Sequence, residues 1–341
     1  MIGRALWVGL GAMVLAAVTA CATMEEDRMG SDRSDTAAEN AALLEEGDQA
    51  FRRREVDAAR AIYERAAAAT GPEEAHVEAL AQVARMYSIG GDEAAGRPWL
   101  ERAGALARPD EPLGWSRYQL VRGVYERESG RRAAACATFE SLYDYCLERE
   151  MPLRAIDPAH MVALAADDVA AQIEWAHKGI AAAEAGGAEG WLAVLWNNLG
   201  WTFEGEGRYA EALAALEKAR HYHRRTGGEM EKMIADFSVA KLLRLNGRRT
   251  QARALLLDTT EWAQRLYDEQ PVADRLEWVG TCRLELGELE LGEGRVELGR
   301  ELLRQGRAIL VEAGIERWGA GWLKEIDALI DQVRALAGGE D

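Results

Sequence analysis

The chain has 341 residues, a net charge of -17 at pH 7 and only 7 prolines. Nucleic acid is not an expected partner, because binding to phosphates needs a basic surface that this balance does not provide. The shortage of proline and the abundance of alanine favour a helical protein.

The first 20 residues have the pattern of a signal peptide. One basic residue, Arg4, precedes an almost unbroken apolar run from Ala5 to Val18. A helix that crosses a bilayer needs about 20 apolar residues, so this run is short for a membrane anchor and suitable for a signal peptide. We therefore predict that residues 1–20 are a signal peptide.

The end of this segment, Val18-Thr19-Ala20-Cys21, resembles the lipobox of bacterial lipoproteins. The resemblance implies that the signal peptide is removed and that Cys21 carries acyl chains, among them a palmitate-type group, which hold the protein to a membrane. Because Ala22 rather than aspartate follows the cysteine, it also implies the outer membrane of a Gram-negative bacterium, facing the periplasm. The alternatives are an ordinary signal peptide and an uncleaved anchor with a chance cysteine.

Residues 21–36 are polar and poor in large apolar side chains, which predicts a lipidated cysteine followed by a flexible tether. From residue 37 to residue 314 small and apolar residues recur at intervals of three and four, as in amphipathic helices. Turns that contain glycine interrupt this pattern. The region therefore reads as a series of helix hairpins.

The clearest hairpin lies near the middle of the chain. Its residues are Trp196, Leu199, Gly200 and Phe203 in the pattern W-x2-L-G-x2-F, the turn residue Gly207, and then Ala212, Leu216 and Ala219 in the pattern A-x3-L-x2-A. This segment resembles the tetratricopeptide repeat, a hairpin of two antiparallel helices. Gly200 leaves room for a close neighbour, and the small residues of the second helix allow tight packing. Such a hairpin cannot bury its apolar face alone, so copies should stack on either side.

Turn glycines mark the other copies: Gly91, Gly130, Gly207, Gly247 and Gly294. They lie about 40 residues apart, except for one double gap that predicts a degenerate repeat near residues 156–187. The resemblance thus implies an all-α fold, a right-handed superhelical solenoid of about seven hairpins over residues 37–314. The alternatives are a helical solenoid of another type and a compact bundle, which would show the same apolar stripes.

A last amphipathic pattern predicts a final helix from Ile315 to Leu336, with Trp318, Trp322 and Ile326 among its apolar residues. The terminal elements of a solenoid must cover the exposed apolar side of the last repeat. We therefore predict that residues 315–341 form a C-terminal capping helix and a tail.

Signals for catalysis are absent from the sequence. No H-E-x-x-H, C-x-x-C, G-x-S-x-G or P-loop motif occurs. His221 and His223 point in different directions on a helix, so we expect no shared metal. Cys136, Cys146 and Cys282 are expected as small buried side chains, with a disulfide as the alternative. The sequence predicts no enzyme activity, no catalytic residue, no cofactor and no metal.

In the tetratricopeptide family, the first helices of successive hairpins line a concave groove that receives a peptide or a helix from a partner. Aligned through the turns, the resemblance assigns this partner-binding groove to Arg85, Val124, Arg127, Asn197, Trp201, Glu204, Phe237, Lys241 and Arg244. An exposed Trp201 beside Asn197 would anchor an extended segment, while the amide and the cations bind its backbone or carboxylates. The alternative is that Trp201 packs against the next hairpin.

These patterns predict a lipid-anchored scaffold that binds a protein or peptide of the cell envelope, with a role in outer-membrane or envelope assembly. Two other classes stay open. A small-ligand or glycan-binding solenoid would fit the 11 tryptophans, because aromatic faces stack on sugars, and would show a closed pocket. An enzyme that uses the concave surface would need converging polar groups with shifted pKa values.

Overall fold

The computed structural model describes residues 31–69, 71–318 and 321–337. Within these ranges the chain forms 15 α-helices, one short 3-10 helix and no strand. The helices are Ser31–Arg52 (α1), Val56–Ala68 (α2), Glu73–Ile89 (α3), Glu93–Leu106 (α4), Pro112–Glu128 (α5), Arg132–Glu148 (α6), Pro152–Ala165 (α7), Val169–Ala185 (α8), Glu189–Gly205 (α9), Tyr209–Thr226 (α10), Glu229–Leu245 (α11), Arg249–Glu269 (α12), Ala273–Gly292 (α13), Val296–Glu312 (α14) and Gly321–Ala337 (α15). The predicted all-α fold of helix hairpins is confirmed.

The helices from α1 to α14 pair in order into seven hairpins, each with a first and a second helix. The residues with left-handed backbone between paired helices include the predicted turn glycines Gly91, Gly130, Gly207, Gly247 and Gly294, with φ between 70° and 77°. After Gly91, the backbone N–H of Asp92 donates to the carbonyl of Tyr87 at 2.9 Å, which satisfies a carbonyl at the end of α3. Glycine is favoured at these turns because a Cβ is strained in this conformation.

A second set of glycines brings the two helices of a hairpin together. An added Cβ at Gly200 would lie 2.6 Å from the Cγ atom of Leu216, so α10 can approach α9 this closely only because Gly200 has no side chain. Four pairs of this kind, from four different hairpins, are Gly47 with Tyr63, Gly123 with Phe139, Gly200 with Leu216, and Gly287 with Leu303. All four pairs have the same separation in sequence, so the repeat is visible in packing as well as in pattern.

The chain divides into two compact units, with the boundary between Leu195 and Trp196 in α9. In the N-terminal unit, α3 packs against α2 and α5, and α7 packs against α6. Its core includes Leu80 and Val121, which are fully buried. In the C-terminal unit, α11 packs against α10, and α13 packs against α12. Each unit therefore buries its apolar stripes between neighbouring hairpins.

The degenerate repeat predicted near residues 156–187 corresponds to α7 and α8. Its turn contains no glycine. Instead, the Asp168 carboxylate accepts a hydrogen bond from the backbone N–H of Ala171 at 3.1 Å and caps the start of α8. The hairpin therefore appears in the sequence as a gap between turn glycines, because a different cap closes its turn.

The C-terminal helix starts later than predicted. Ile315–Trp318 form a short 3-10 helix, and α15 begins at Gly321. Ile326 of α15 is fully buried in a cluster with Leu303 and Leu310 of α14. The last helix therefore covers the apolar side of the seventh hairpin.

The start of the chain departs from the predicted boundaries. Helix α1 begins at Ser31, inside the segment predicted as a flexible tether over residues 21–36, so the helical region starts earlier than expected. The signal peptide predicted over residues 1–20 and the lipidation predicted at Cys21 lie outside the described residues. Among the residues that are described, no helix has the length and apolar character needed to cross a membrane.

Candidate functional site

Buried polar side chains are concentrated on one helix of each hairpin. Apart from Thr259, every buried polar or charged residue in the described part of the chain lies on the first helix of a hairpin. The first helices are α1, α3, α5 and α7 in the N-terminal unit and α11 and α13 in the C-terminal unit, with α9 at the boundary. Burying a charge is costly unless partners compensate it, so this distribution marks the first helices as the candidate site.

Three ion pairs join the first helices of the N-terminal unit. Arg85 on α3 donates to Asp157 on α7 at 2.9 Å, and their side chains are only 7% and 12% exposed. Glu78 on α3 pairs with Arg117 on α5 at 3.3 Å and with Arg154 on α7 at 2.7 Å. Because Glu78 serves both arginines, three first helices converge on one carboxylate.

A chain of hydrogen bonds extends this arrangement to the first hairpin. The Tyr63 hydroxyl donates to Asp48 Oδ1 at 2.5 Å, and Gln82 Nε2 donates to the same atom at 3.0 Å and to the Tyr63 oxygen at 3.1 Å. Burial, followed by the charge of Asp48, raises the pKa of Tyr63, which keeps the phenol protonated. Asp48, Tyr63, Glu78, Gln82, Arg85, Arg117, Arg154 and Asp157 are hereafter the N-terminal polar cluster.

Electrostatics hold Arg117 of this cluster in its charged form. Burial of Arg117 disfavours its charge, but the carboxylates of Glu78 and Asp48 outweigh the burial and raise the pKa of the guanidinium. Arg85 also lies over the ring of Phe51, with its guanidinium carbon 5.5 Å from the ring centroid. Such a stack restricts how the guanidinium can turn.

His160 lies one turn along α7 from Asp157 and is buried. Its ring meets that of Trp191 edge to face, with the centroids 5.6 Å apart. Burial lowers the pKa of His160 to about 4, the nearby charges of Arg127 and Arg85 act in the same direction, and Asp157 opposes them. The imidazole is therefore neutral at pH 7.

The C-terminal unit has its own ion pairs between first helices. Arg244 on α11 pairs with Glu285 and, at 2.8 Å, with Glu288, both on α13. Lys241 on α11 pairs with Glu204 on α9 at 2.6 Å. Burial disfavours the charge of Arg244, but Glu285 and then Glu288 hold the pKa of the guanidinium above its ordinary value. Burial and the charge of Glu285 raise the pKa of Glu288.

Comparison with known proteins gives matches to solved structures alone. No protein-family model matches the chain, and no curated protein does. A STAND signal transduction ATPase with a tetratricopeptide repeat sensor, from Pyrococcus horikoshii, matches with a TM-score of 0.60 at 14% identity. The match covers 87% of this chain and 44% of that protein, so the chain spans less than half of its length. The fold is tetratricopeptide-like.

Two Rap structures support the same fold over most of both chains. The apo form of RapI matches with a TM-score of 0.51 at 14% identity, covering 82% of this chain and 98% of that one. A Rap protein complexed with competence and sporulation factor matches with a TM-score of 0.50 at 12% identity, covering 88% of each chain. At such low identities the likeness concerns the fold.

The tetratricopeptide-like structure places all nine residues predicted for the groove on first helices. Those in the N-terminal unit are Arg85 and Val124, which are buried, and Arg127, which is half-buried. Those in the C-terminal unit are Asn197 and Phe237, which are buried, and Trp201, Glu204, Lys241 and Arg244, which are partly buried. Whether these nine residues contact a partner remains a prediction.

The availability of these residues differs from the prediction. Arg85, Lys241 and Arg244 were expected to offer cations to a partner, but each is already paired with a carboxylate of a neighbouring first helix. Phe237 packs edge to face on Trp278, with the ring centroids 5.5 Å apart. Trp201 is half-buried, and it keeps an accessible part that a partner can contact.

Sequence reasoning missed most of the N-terminal polar cluster. Glu78, Arg117, Arg154 and Asp157 were not singled out, although each is a charged residue within a first helix. A signal was present, since Glu78 and Arg85 stand in an otherwise mostly apolar stretch of α3. Charged residues in such a stretch predict buried ion pairs or a binding site.

Metal-binding groups and reactive thiols were the other candidate sites in the part of the chain that the structure describes. No group of three or more His, Cys, Asp or Glu side chains is placed to hold a metal ion there. Cys136, Cys146 and Cys282 are free thiols, and the last two are buried as expected. Burial raises the pKa of Cys146 to about 12, so this thiol is not a reactive thiolate at pH 7.

Proposed function

We propose that the protein is a non-enzymatic, lipid-anchored scaffold whose first helices bind a protein or peptide of the cell envelope. The observation that carries the proposal is the concentration of polar and charged side chains on the first helices of a tetratricopeptide-like fold. One of the similar Rap structures is a complex with competence and sporulation factor, which supports ligand binding as a use of this fold.

Within the C-terminal unit, Trp201 is the strongest candidate for direct contact. It is partly exposed on α9, one turn from the buried Asn197. Partly exposed tryptophans that lie beside well-packed neighbours are frequent sources of binding energy in protein interfaces. A partner that covers this ring gains apolar contact at a rigid position on a helix.

Site-specific photo-crosslinking tests this contact in intact cells. A photoreactive amino acid at Trp201 should yield a crosslinked adduct, and Trp201→Ala should weaken co-purification of the same partner. The matched control places the photoreactive group at Leu257, which is 50% exposed on the second helix α12. An adduct at Leu257 and none at Trp201 would reverse the assignment of the binding face.

The proposed location is the outer membrane, with the protein facing the periplasm. Its support is the apolar run that follows Arg4, the lipobox-like residues before Cys21 and the alanine at position 22. The chain should incorporate a fatty-acid analogue, and Cys21→Ser should abolish the label. Ala22→Asp should move the protein to the inner membrane of a Gram-negative host. A labelled Cys21→Ser variant would rule out the anchor at this residue.

A further inference from the structure

Unpartnered polar atoms gather in the N-terminal polar cluster. Seven buried side-chain nitrogen or oxygen atoms have no hydrogen-bond partner among the described residues, and four of them belong to this cluster. The four are Gln82 Oε1, Arg85 Nε, Arg154 Nη1 and Asp157 Oδ1. Buried polar groups without a partner are rare in folded proteins, and a concentration of them calls for a bound group that satisfies them.

The four atoms have complementary requirements. Arg85 Nε and Arg154 Nη1 are donors on cations and need an acceptor, ideally an anionic one. Asp157 Oδ1 and Gln82 Oε1 are acceptors and need a donor, ideally a cationic one beside the aspartate. One ligand that carries an anionic acceptor and a cationic donor would satisfy both sets.

The charge balance of the cluster restricts the ligand further. Its three arginines, Arg85, Arg117 and Arg154, face three carboxylates, Asp48, Glu78 and Asp157. Because the formal charges cancel, a bound phosphate or simple cation would leave an uncompensated charge in a buried site, which is costly. A ligand with no net charge avoids this cost.

The arrangement of the helices favours a small ligand. Glu78 on α3 pairs with residues of both α5 and α7, and Arg85 on α3 pairs with Asp157 on α7. Although the cluster draws on four successive hairpins, the four unpartnered atoms belong to Gln82 and Arg85 on α3 and to Arg154 and Asp157 on α7, two helices that these ion pairs join directly. Asp157 is 8% exposed and Gln82 is 2% exposed, which suits a group enclosed by the first helices.

We propose that the N-terminal polar cluster binds a small zwitterion of the class of free α-amino acids. Its carboxylate accepts hydrogen bonds from Arg85 and Arg154, and its ammonium group donates to Asp157 and Gln82. The site lies within the N-terminal unit, whereas Trp201 lies in the C-terminal unit, so this binding goes beyond the proposed partner contact and does not depend on it.

Isothermal titration calorimetry of the full chain in detergent, against a panel of free α-amino acids, tests the proposal. At least one member should bind, and its N-acetyl and methyl ester derivatives should bind about 10-fold to 100-fold more weakly, because each loses one charge-assisted contact. Absence of binding across the panel, or equal binding of the blocked derivatives, would overturn the zwitterion site.

Substitutions locate the binding within the cluster. Arg154→Gln and Asp157→Asn keep the size of each side chain and should each weaken binding about 10-fold or more. Arg307→Gln and Asp327→Asn are the matched controls, since this more exposed pair lies in the C-terminal unit, and they should leave affinity unchanged. Unchanged affinity in both cluster variants would refute the assignment.

Folding of the variants is checked by circular dichroism. If Asp157→Asn fails to fold, Gln82→Leu removes one acceptor, leaves Asp48 with the hydrogen bond from the Tyr63 hydroxyl, and should still weaken binding. The comparison with blocked amino acids uses the unaltered chain and decides the matter independently. Loss of the Trp201 crosslink would count against the partner contact alone, which keeps the two proposals separable.

Discussion

The first helices of the two units bury charge in different ways. In the N-terminal unit, Arg85 and Asp157 pair through one nitrogen and one oxygen, and each keeps a second buried atom without a partner among the described residues. In the C-terminal unit, Arg244 engages two glutamates, and Arg283 is the sole residue there with such an atom in the described ranges. The same fold thus contains ion pairs between first helices and also a polar cluster in which several donors and acceptors have no hydrogen-bond partner within the described part of the chain.

Ion pairs with complete hydrogen bonds and ion pairs with incomplete ones have different consequences for stability and for ligand binding. Ion pairs whose hydrogen bonds are complete hold neighbouring hairpins in register, but they offer little to a ligand. Incomplete pairs cost stability when the site is empty, and a ligand that satisfies them recovers that free energy on binding. This contrast agrees with the two proposals, in which the N-terminal unit binds a small zwitterion and the C-terminal unit contacts a partner through the partly exposed Trp201.

The largest expected effect tests the buried pairs directly. Arg85→Met should lower the free energy of unfolding by about 3–5 kcal/mol, because it leaves the Asp157 carboxylate buried without its cation. Urea denaturation followed by circular dichroism measures the loss. The double variant Arg85→Met with Asp157→Leu should recover most of it, since neither charge then remains, and a double variant as unstable as the single one would contradict this account.

The equivalent change in the C-terminal unit should depend on pH. Arg244→Met removes a cation that lowers the pKa of Glu288, so the already raised pKa of this carboxyl should rise further. A folded-state pKa above the unfolded value means that the folded chain binds more protons, so the variant's loss of stability relative to the parent chain should shrink as pH falls from 7 to 5. A constant deficit across this range would show that Glu288 does not respond to Arg244.

The next effect comes from His160, whose pKa is lowered to about 4 from an ordinary 6.5, first by burial. The unfolded chain takes up a proton at this residue when the folded chain does not, so stability is lost as pH falls below about 6.5. The loss should reach about 2 kcal/mol at pH 5 and about 3 kcal/mol at pH 4.

His160→Gln should flatten this pH dependence relative to the parent chain, as measured by urea denaturation between pH 7 and pH 4. His221→Gln, at an exposed residue, is the matched control and should keep the parent slope. His76 and His223 also have lowered pKa values because of burial, but they are present in both chains and cancel in the difference. Equal slopes for the parent and His160→Gln would show that His160 carries no such linkage.

The hairpin architecture was largely predictable from the sequence, because its signals are local. Gly207 and Gly247 mark turns by a conformation that glycine adopts easily, and Gly200 stands at a fixed separation from Leu216. The hairpin of α7 and α8 was harder to locate, since Asp168 rather than a glycine closes its turn. Local chemistry varies at such positions while the packing stays the same.

The candidate site was only partly predictable, because its signals are not local. The alignment assigned Arg85 to the partner-binding groove, but its ion-pair partner Asp157 lies two hairpins later in the chain. Nothing in the spacing of residues shows which charged side chains meet across stacked helices. The three-dimensional arrangement decides whether a cation such as Arg244 is free or already paired.

A smaller effect tests whether both units use the same helix packing. Gly200→Ala should lower stability by about 1–3 kcal/mol, because its Cβ would lie 2.6 Å from Leu216 Cγ. Gly123→Ala should cost a similar amount in the N-terminal unit, where the added atom meets Phe139. Gly205→Ala, on the same helix as Gly200, meets no atom within 4 Å and should stabilise by up to about 1 kcal/mol. Denaturant midpoints report all three, and a neutral Gly200→Ala would show that the hairpin can relax.

The smallest effect concerns cations on the second helices, where the two units should behave alike. Lys178 lies 3.9 Å from the ring centroid of Trp175 in the N-terminal unit, and Lys218 lies 3.8 Å from that of Trp196 in the C-terminal unit. Partly exposed contacts of this kind contribute about 0.5–1 kcal/mol. Lys178→Met and Lys218→Met keep the aliphatic stem and should each cost that amount in urea denaturation, with a few tenths of a kcal/mol more for Lys178→Met, which also loses the exposed pair with Glu174. Because these pairs lie away from the buried ion pairs, a much larger cost in one unit would show that the contrast between the units extends beyond their first helices.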